Sequence, residues 1–354
     1  MILMLMLCFT DNPDLTFMTR FQTVPESSEH IISDPYSMHF SPAGDLYVAD
    51  RIPGKIHQWR ADGTYLRSFA ASGQGPGELT RPVKIVVTEK AVWVWDFAQR
   101  FTSFDLEGNY LRSFALPGVE PRNFAVLSSN LFLLSYRKNI SANERRQVFQ
   151  LLDHQGKLGT QLANIKNEGV LSSQSTVGGL FKAYGAEGDI QKAPDGSFYY
   201  GYSQDNTLVQ VNERGEELKR SVFDLPHDKP TDEDKQTLLA ISFPNRRDGG
   251  RISIKSFPQL KFDFSHPKAY YSQFLFVGDK VVFVLTAIGD FSGAGNGFHK
   301  GHFYVNDFQS TKVLSRGSFS LPEDSALLMR DGRALVVIAG EEGYEISEVS
   351  FKGL

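Results

Sequence analysis

Short apolar runs separated by turn residues recur along most of the chain. Within residues 36–69, segments rich in β-branched and aromatic residues occupy positions 36–40, 46–50, 55–59 and 65–69. Turn signals such as Asp62-Gly63 lie between them. Short runs of this composition, bounded by turn residues, are typical of β-strands joined by tight turns. This stretch therefore predicts four strands of one sheet.

The same arrangement follows 45 residues later. Gly108 stands 45 positions after Gly63, and the sequence Tyr-Leu-Arg-Ser-Phe at residues 65–69 recurs intact at residues 110–114. Chance does not give five identical residues at the matching place. Four strands in about 45 residues is the size of one blade of a β-propeller.

Four weaker units follow, beginning near residues 123, 188, 272 and 325. The last unit is one strand short, and residues 15–24 can supply that strand. An incomplete ring would leave exposed strand edges that are prone to mispairing. We therefore predict an all-β fold: a six-bladed β-propeller of four-stranded antiparallel blades over residues 15–354, closed by the N-terminal strand. Five or seven blades remain alternatives, because residues 224–271 form a long inter-blade insertion.

The net charge and the cysteine content limit the kinds of partner and cofactor that the protein can bind. The 354 residues carry a net charge of −4 with a pI of about 6.1, so no general attraction to nucleic acid or anionic lipid is expected. Cys8 is the only cysteine, which excludes a disulfide framework and a cysteine-based zinc site. We expect no cofactor and a monomeric protein.

Residues 1–14 form an apolar segment outside the predicted ring. The first seven are wholly apolar but too few to span a bilayer. One interpretation is a truncated export signal with Cys8 as a lipid-anchored cysteine, which would place the protein in the periplasm or cell envelope. The other is a disordered N-terminal segment on a cytoplasmic protein. No later segment is long and apolar enough to cross a membrane.

The first repeat resembles a known family. The sequences Leu-Tyr-Val-Ala-Asp at residues 46–50, Lys-Ile-His-Gln-Trp at 55–59 and Gly-Gln-Gly-Pro-Gly-Glu-Leu at 73–79 are similar to NHL-repeat propellers. More narrowly, they resemble the bacterial 6-bladed β-propeller proteins, which are often exported or lipid-anchored. The similarity is good over residues 36–114 only. It implies the fold and no particular activity.

The propeller geometry suggests where a ligand would bind. The inner strand of each blade lines the channel, so the channel candidates are polar residues of those strands: His39, Lys84, Asn123, Asp189 and Gln191. The loops that precede the inner strands and those that join second to third strands share one rim. That rim receives basic residues, and the candidates there are Arg81, Arg122, Arg137 and Lys138. The opposite rim receives acidic turns.

The residues favour binding over catalysis. The sequence contains neither a Gly-x-Ser-x-Gly nucleophile elbow nor a plausible cysteine nucleophile, and no catalytic residue can be named. We expect a non-catalytic propeller at the cell envelope that binds a protein or a small anionic ligand through the basic rim. The alternative is a lactonase-like lyase or hydrolase, with a divalent cation held in the channel by His39, Asp189 and further oxygen ligands.

The insertion at residues 224–271 is too long for an ordinary connection between blades. It is rich in Pro, Asp, Lys and Arg. We expect it to fold over the basic rim, with a short helix near residues 231–240. The alternative is an insertion with no functional role.

Overall fold

The computed structural model describes most of the chain, in segments that cover every predicted blade. These segments are residues 14–21, 32–119, 121–141, 144–167, 170–171, 180–182, 186–240, 242–244, 251–253, 261–264, 267–286, 300–321, 325–330, 332–340, 343–352 and 354. Cys8 and most of the N-terminal segment lie outside the described residues.

Four-stranded antiparallel sheets form the blades of a ring. The chain begins with β1 (Leu15–Phe21), which belongs to the last blade. Blade 1 contains β2 (Pro35–Phe40), β3 (Leu46–Asp50), β4 (Lys55–Trp59) and β5 (Tyr65–Phe69). A short parallel pair follows, β6 (Ala71–Ser72) and β7 (Glu78–Leu79). Blade 2 contains β8 (Pro82–Val87), β9 (Val92–Asp96), β10 (Arg100–Phe104) and β11 (Tyr110–Ala115). Blade 3 contains β12 (Pro121–Ser128), β13 (Leu131–Ser141), β14 (Glu144–Asp153) and β15 (Leu158–Asn167).

The second half repeats the pattern with more interruptions. After β16 (Val170–Leu171) and β17 (Leu180–Lys182), blade 4 contains β18 (Gly188–Lys192), β19 (Phe198–Tyr202), β20 (Thr207–Val211) and β21 (Glu217–Val222). The insertion holds helix α1 (Asp232–Ala240), β22 (Ser242–Pro244), β23 (Arg251–Ser253) and β24 (Lys261–Asp263). Blade 5 contains β25 (Gln273–Val277), β26 (Lys280–Thr286), β27 (Lys300–Asp307) and β28 (Val313–Ser320). Blade 6 contains β29 (Ser325–Arg330), β30 (Arg333–Gly340) and β31 (Gly343–Phe351), with β1 as its outer strand.

The N-terminal strand closes the ring, as the sequence predicts. β1 pairs antiparallel with β31, with Leu15 opposite Phe351 and Phe21 opposite Ile346. The inner strands of successive blades contact one another all the way round, and β29 contacts β2. The protein is therefore a six-bladed β-propeller whose first and last strands share a sheet.

The core is divided among the interfaces between blades. The described residues contain six clusters of buried apolar side chains, each built from two adjacent blades. Strand side chains alternate between the two faces of a sheet. Each blade therefore contributes one face to each neighbour. In blade 2, for example, Phe101 packs toward blade 3 and Phe104 packs toward blade 1.

Helix α1 begins at a reciprocal cap. The Thr231 hydroxyl oxygen accepts a hydrogen bond from the Asp234 amide at 3.1 Å, and the Asp234 carboxylate accepts one from the Thr231 amide at 2.7 Å. This arrangement satisfies two amide groups at the first helical turn, which explains why the helix starts here. The helix occupies nearly the residues that the sequence analysis assigned to it. In the rest of the insertion, β24 pairs in parallel with β17.

Phe21 provides a test of the closure. Its side chain is 1% exposed and packs with blade 1, whereas Met18 in the same strand is 63% exposed. We expect Phe21→Ala to lower the free energy of unfolding by about 3–5 kcal/mol, because it leaves a cavity in the closing interface. Met18→Ala, the matched control, should change it by less than about 0.5 kcal/mol. Urea unfolding of the two variants measures both values, and equal small effects would contradict the closure.

Candidate functional site

A cavity of about 980 Å³ lies on the axis of the ring. All six blades contribute to its wall, and it opens at the mouth formed by the turns between first and second strands. This is the mouth opposite the predicted basic rim. One representative lining residue from each blade, in order, is His39, Trp93, Asn123, Gln191, Phe276 and Arg330.

Polar side chains of the inner strands bond to backbone groups of other inner strands. The inner strand is the edge of its sheet, so one side of its backbone has no partner within the blade. The His39 ring nitrogen Nδ1 lies 3.2 Å from the Val87 amide of blade 2 and 2.8 Å from the Phe40 carbonyl oxygen. Ser37 accepts a hydrogen bond from the Ile85 amide in the same way. These contacts join β2 to β8.

Asn123, Asp189 and Gln191, three of the predicted channel residues, meet in one cluster. The Asn123 side-chain amide donates to Asp189 Oδ1 at 2.6 Å, and the Gln191 side-chain amide donates to Asp189 Oδ2 at 2.9 Å. Arg330 Nη1 donates to Asp189 Oδ1 at 3.2 Å. The Ile190 amide and, at 3.5 Å, the Phe274 amide also donate to this carboxylate. Asp189 is thus surrounded by donors from blades 3, 4, 5 and 6.

Lys84 is buried in β8, where it lies opposite Trp95 in the strand register. It is not among the residues that line the cavity. The structure therefore places His39, Asn123 and Gln191 at the cavity wall, and Asp189 bonds to Asn123 and Gln191. It does not bring Lys84 to the same wall.

The predicted basic rim is neutralised in part. Arg137 pairs with Glu187, and both side chains are mostly buried. The guanidinium of Arg81 lies over the Phe97 ring, 5.3 Å from its centroid. Arg122 and Lys138 are exposed. The charge of Arg137 is thus matched by a neighbouring carboxylate, whereas the role of Arg81, Arg122 and Lys138 in ligand binding stays a prediction.

Further arginines of this rim are also paired. Arg51 donates to Asp34 at 2.7 Å, Arg100 to Asp96 at 3.2 Å and Arg146 to Glu144 at 2.8 Å. Sequence reasoning counted the cations of the rim but could not see these carboxylates, because the Arg51–Asp34 and Arg137–Glu187 pairs join residues far apart in the chain.

Sequence reasoning missed two arginines of the cavity. Arg330 is the last residue of β29, and the sequence unit that predicts this strand ends at Met329. Arg333 lies over the Phe40 ring, 3.5 Å from its centroid, and its Nε donates to Glu348 at 2.7 Å. Their position in the sequence could have indicated this location, because Arg330 and Arg333 flank the tight turn that follows an inner strand.

The cation site of the alternative hypothesis needs several convergent oxygen or imidazole ligands. Among the described residues, no group of three or more His, Cys, Asp or Glu side chains could hold a metal ion. His39 bonds to backbone groups of blades 1 and 2, and Asp189 accepts hydrogen bonds from groups of blades 3 to 6. The hypothesis of a metal-dependent lyase or hydrolase stays a prediction.

The comparisons agree with the fold. The family DUF5128, described as a 6-bladed beta-propeller, matches residues 24–187. This match confirms the predicted resemblance to bacterial 6-bladed β-propeller proteins over that part of the chain. No curated protein matches the sequence. Among the described residues, none forms a helix with the length and hydrophobicity needed to cross a membrane.

Solved structures extend the similarity to nearly the whole chain. The protein BF0058 of Bacteroides fragilis NCTC 9343, described as exported, has a TM-score of 0.59 at 12% identity and covers 97% of each chain. A member of the DUF4221 family from Bacteroides vulgatus has a TM-score of 0.54 at 9% identity, over 96% of this chain and 99% of its own. At these identities the similarity shows the fold alone.

Asp189 provides a test of the channel cluster. Asp189→Ala leaves the Arg330 guanidinium and the Asn123 amide without their shared acceptor. We expect the free energy of unfolding to fall by about 3–5 kcal/mol, as when one partner of a buried ion pair is removed. Glu213→Ala, which removes an exposed carboxylate of the cavity mouth, should cost less than about 0.5 kcal/mol. Chemical denaturation distinguishes them, and a loss below 1 kcal/mol for Asp189→Ala would contradict the role of the cluster.

His302 provides a pH test of the environment around β27 in blade 5. Burial and the nearby Lys268 lower the pKa of His302 below its ordinary value of 6.5, against the opposing effect of Asp234 and Glu233. The unfolded chain therefore binds the proton more readily than the folded chain. Stability should fall as the pH drops through 6.5 toward the folded-state pKa. His302→Gln should reduce this dependence in melting curves from pH 7.5 to 5.5, and identical curves for both proteins would contradict it.

Proposed function

We propose that this protein is a non-catalytic binding propeller that takes a small ligand into its axial cavity. The cavity itself carries the proposal. Its volume of about 980 Å³ is at the upper end of the range typical of small-molecule sites, roughly 300–1,000 Å³. Its wall combines apolar residues that are at least partly exposed, Pro42, Val126 and Pro194, with a few polar groups, the mixture that such sites use.

The cavity mouth is a better ligand site than the basic rim because, among the described residues, more of its charged groups are free to bind a ligand. At the basic rim, carboxylates pair with four of the arginines described above, which lowers the positive charge that this rim offers to an incoming anion. The cavity mouth has a different composition, because Lys90 and Lys192 are exposed there beside Glu89 and Glu213. A ligand of mixed polarity would find partners at this mouth.

Binding is favoured over catalysis because the channel side chains already have structural tasks. Asn123 and Gln191 donate to Asp189 and to carbonyl groups of inner strands. A residue held this way is rigid and preorganised, which suits recognition. The engagement of Asp189 with five donors leaves it poorly placed to act as a base or to collect a cation.

We further propose that the protein functions at the cell envelope. Two observations support this location. The first residues of the chain are apolar and include Cys8, a candidate for lipid attachment. A protein of the same fold over 97% of each chain is described as exported.

A tryptophan at the cavity mouth tests the site. Ser129 lies in the turn between the first two strands of blade 3 and lines the cavity, whereas Glu107 lies in an outer turn of blade 2. A library of small acids, amides and amines is screened against the wild-type protein by ligand-observed NMR. We expect Ser129→Trp to weaken the binding of the hits by about tenfold or more, because the indole occupies their space.

Glu107→Trp is the matched control and should bind the same compounds as the wild type does, since its new side chain lies outside the cavity. Hits that Ser129→Trp leaves unaffected would show that the ligand site lies elsewhere. A screen without any hit would contradict a small-molecule binding function altogether.

A further inference from the structure

Among the residues that the structure describes, Arg330 and Arg333 are the arginines that line the axial cavity, and they differ in how many of their N–H groups already have an acceptor. Arg333 donates from all three of its nitrogen atoms: Nε and Nη2 to the Glu348 carboxylate and Nη1 to the Gly44 carbonyl oxygen at 3.0 Å. It also stacks on Phe40. Three of its five N–H groups are therefore engaged, and the Nε and Nη2 edge is occupied by the Glu348 carboxylate.

Arg330 makes hydrogen bonds through only one of its three nitrogen atoms to the described residues. Its Nη1 atom donates to Asp189 Oδ1 and to the Ile190 carbonyl oxygen, each at 3.2 Å. Its Nε and Nη2 atoms have no hydrogen-bond partner among the residues that the structure describes. The side chain is 18% exposed and lines the cavity. The guanidinium is therefore fixed by one nitrogen while its other N–H groups remain available.

The bonds from Nη1 also fix the orientation of the group. Asp189 and Ile190 belong to blade 4 and Arg330 to blade 6, so the contact spans the intervening blade 5. Gln191 repeats this connection, since its amide donates to the Met329 carbonyl oxygen at 3.2 Å. An arginine held from a non-adjacent blade loses little further side-chain entropy when a ligand binds, which favours affinity.

We infer that the axial cavity binds a carboxylic acid, and that Arg330 receives its carboxylate through the Nε and Nη2 N–H groups. This inference rests on the proposed binding function and names the ligand class. Two parallel N–H groups on one edge of a guanidinium match the two oxygen atoms of a carboxylate. The partly exposed apolar lining residues Pro42, Val126 and Pro194 favour an acid with an apolar body.

A carboxylate fits the local charge better than a phosphate does. Arg330 and Arg333 are paired with Asp189 and Glu348. Of the other charged residues lining the cavity, Lys90 and Lys192 are balanced in number by Glu89 and Glu213. A dianion would thus meet no surplus of positive charge, whereas a singly charged carboxylate needs only one guanidinium edge.

Matched acid and amide pairs test the inference. A panel of carboxylic acids with aromatic or aliphatic bodies, phenylacetate among them, is titrated against the wild-type protein beside the corresponding carboxamides and inorganic phosphate. We expect acids to bind about tenfold or more tightly than their amides, since charge-assisted hydrogen bonds are the stronger kind. Inorganic phosphate should not displace them.

Two conservative variants test whether the preference for acids over amides depends on Arg330. Arg330→Lys keeps a cation near Asp189 but removes the second pair of N–H groups, so it should lose the preference for acids over amides. Arg333→Lys, the control, should melt at a lower temperature and keep that preference. Where Arg330→Lys fails to fold, the ratio of acid to amide affinity in the wild-type protein decides alone.

The outcomes separate this inference from the proposed function. Amides that bind as tightly as acids, at a site that Ser129→Trp blocks, would overturn the carboxylate inference and leave the binding function standing. An acid preference that survives in Arg330→Lys would also overturn it. A panel in which neither acids nor amides bind would overturn both.

Discussion

The whole ring depends on one constraint: each blade presents an unpaired strand edge to the channel, and the amides and carbonyls of that edge need partners. A buried polar group without a partner costs about 1–3 kcal/mol. This chain satisfies them with polar side chains from other inner strands. The contacts are Ser37 with Ile85, His39 with Val87, Asn123 with Ile190, Gln191 with Met329, and Gln273 with both Leu327 and Met329.

This requirement changes how polar channel residues should be interpreted. A buried Asn, Gln or His at the axis of a propeller suggests a ligand site, yet here each has a backbone group to bond. The groups that can bind a ligand are those whose hydrogen-bonding atoms are not already bonded to the edges of the inner strands. Arg330 illustrates the difference, because its Nη1 atom serves the Ile190 carbonyl and Asp189 while its Nε and Nη2 atoms have no hydrogen-bond partner among the described residues. The same group can therefore stabilise the ring and bind a ligand.

The fold could be predicted from the sequence because its repeat reflects a contact between blades. Phe69 of blade 1 packs over Gly108 of blade 2, where a Cβ atom would come within 2.7 Å of the ring, and Phe114 packs over Gly156 of blade 3 in the same way. The Phe and Gly residues therefore recur in the sequence because each Phe packs on the Gly of the next blade. Ion pairs do not follow this repeat, since Arg137 and Glu187 lie 50 positions apart. The basic rim was consequently overestimated, and Arg330 was missed because its strand is one residue longer than the pattern indicated.

The two mouths of the channel differ for a reason that lies in the blade topology. Where inner strands begin, loops between blades cross the rim and are held by buried carboxylates: Asp50 accepts bonds from the Ser33 and Asp34 amides, and Asp96 from the Thr80 amide. At the other mouth the first and second strands of each blade are joined by turns of only two to five residues. Such turns are too short to reach across the axis. The cavity therefore opens beside the turns, and a ligand that enters there meets the C-terminal ends of the inner strands first, where Arg330 lies.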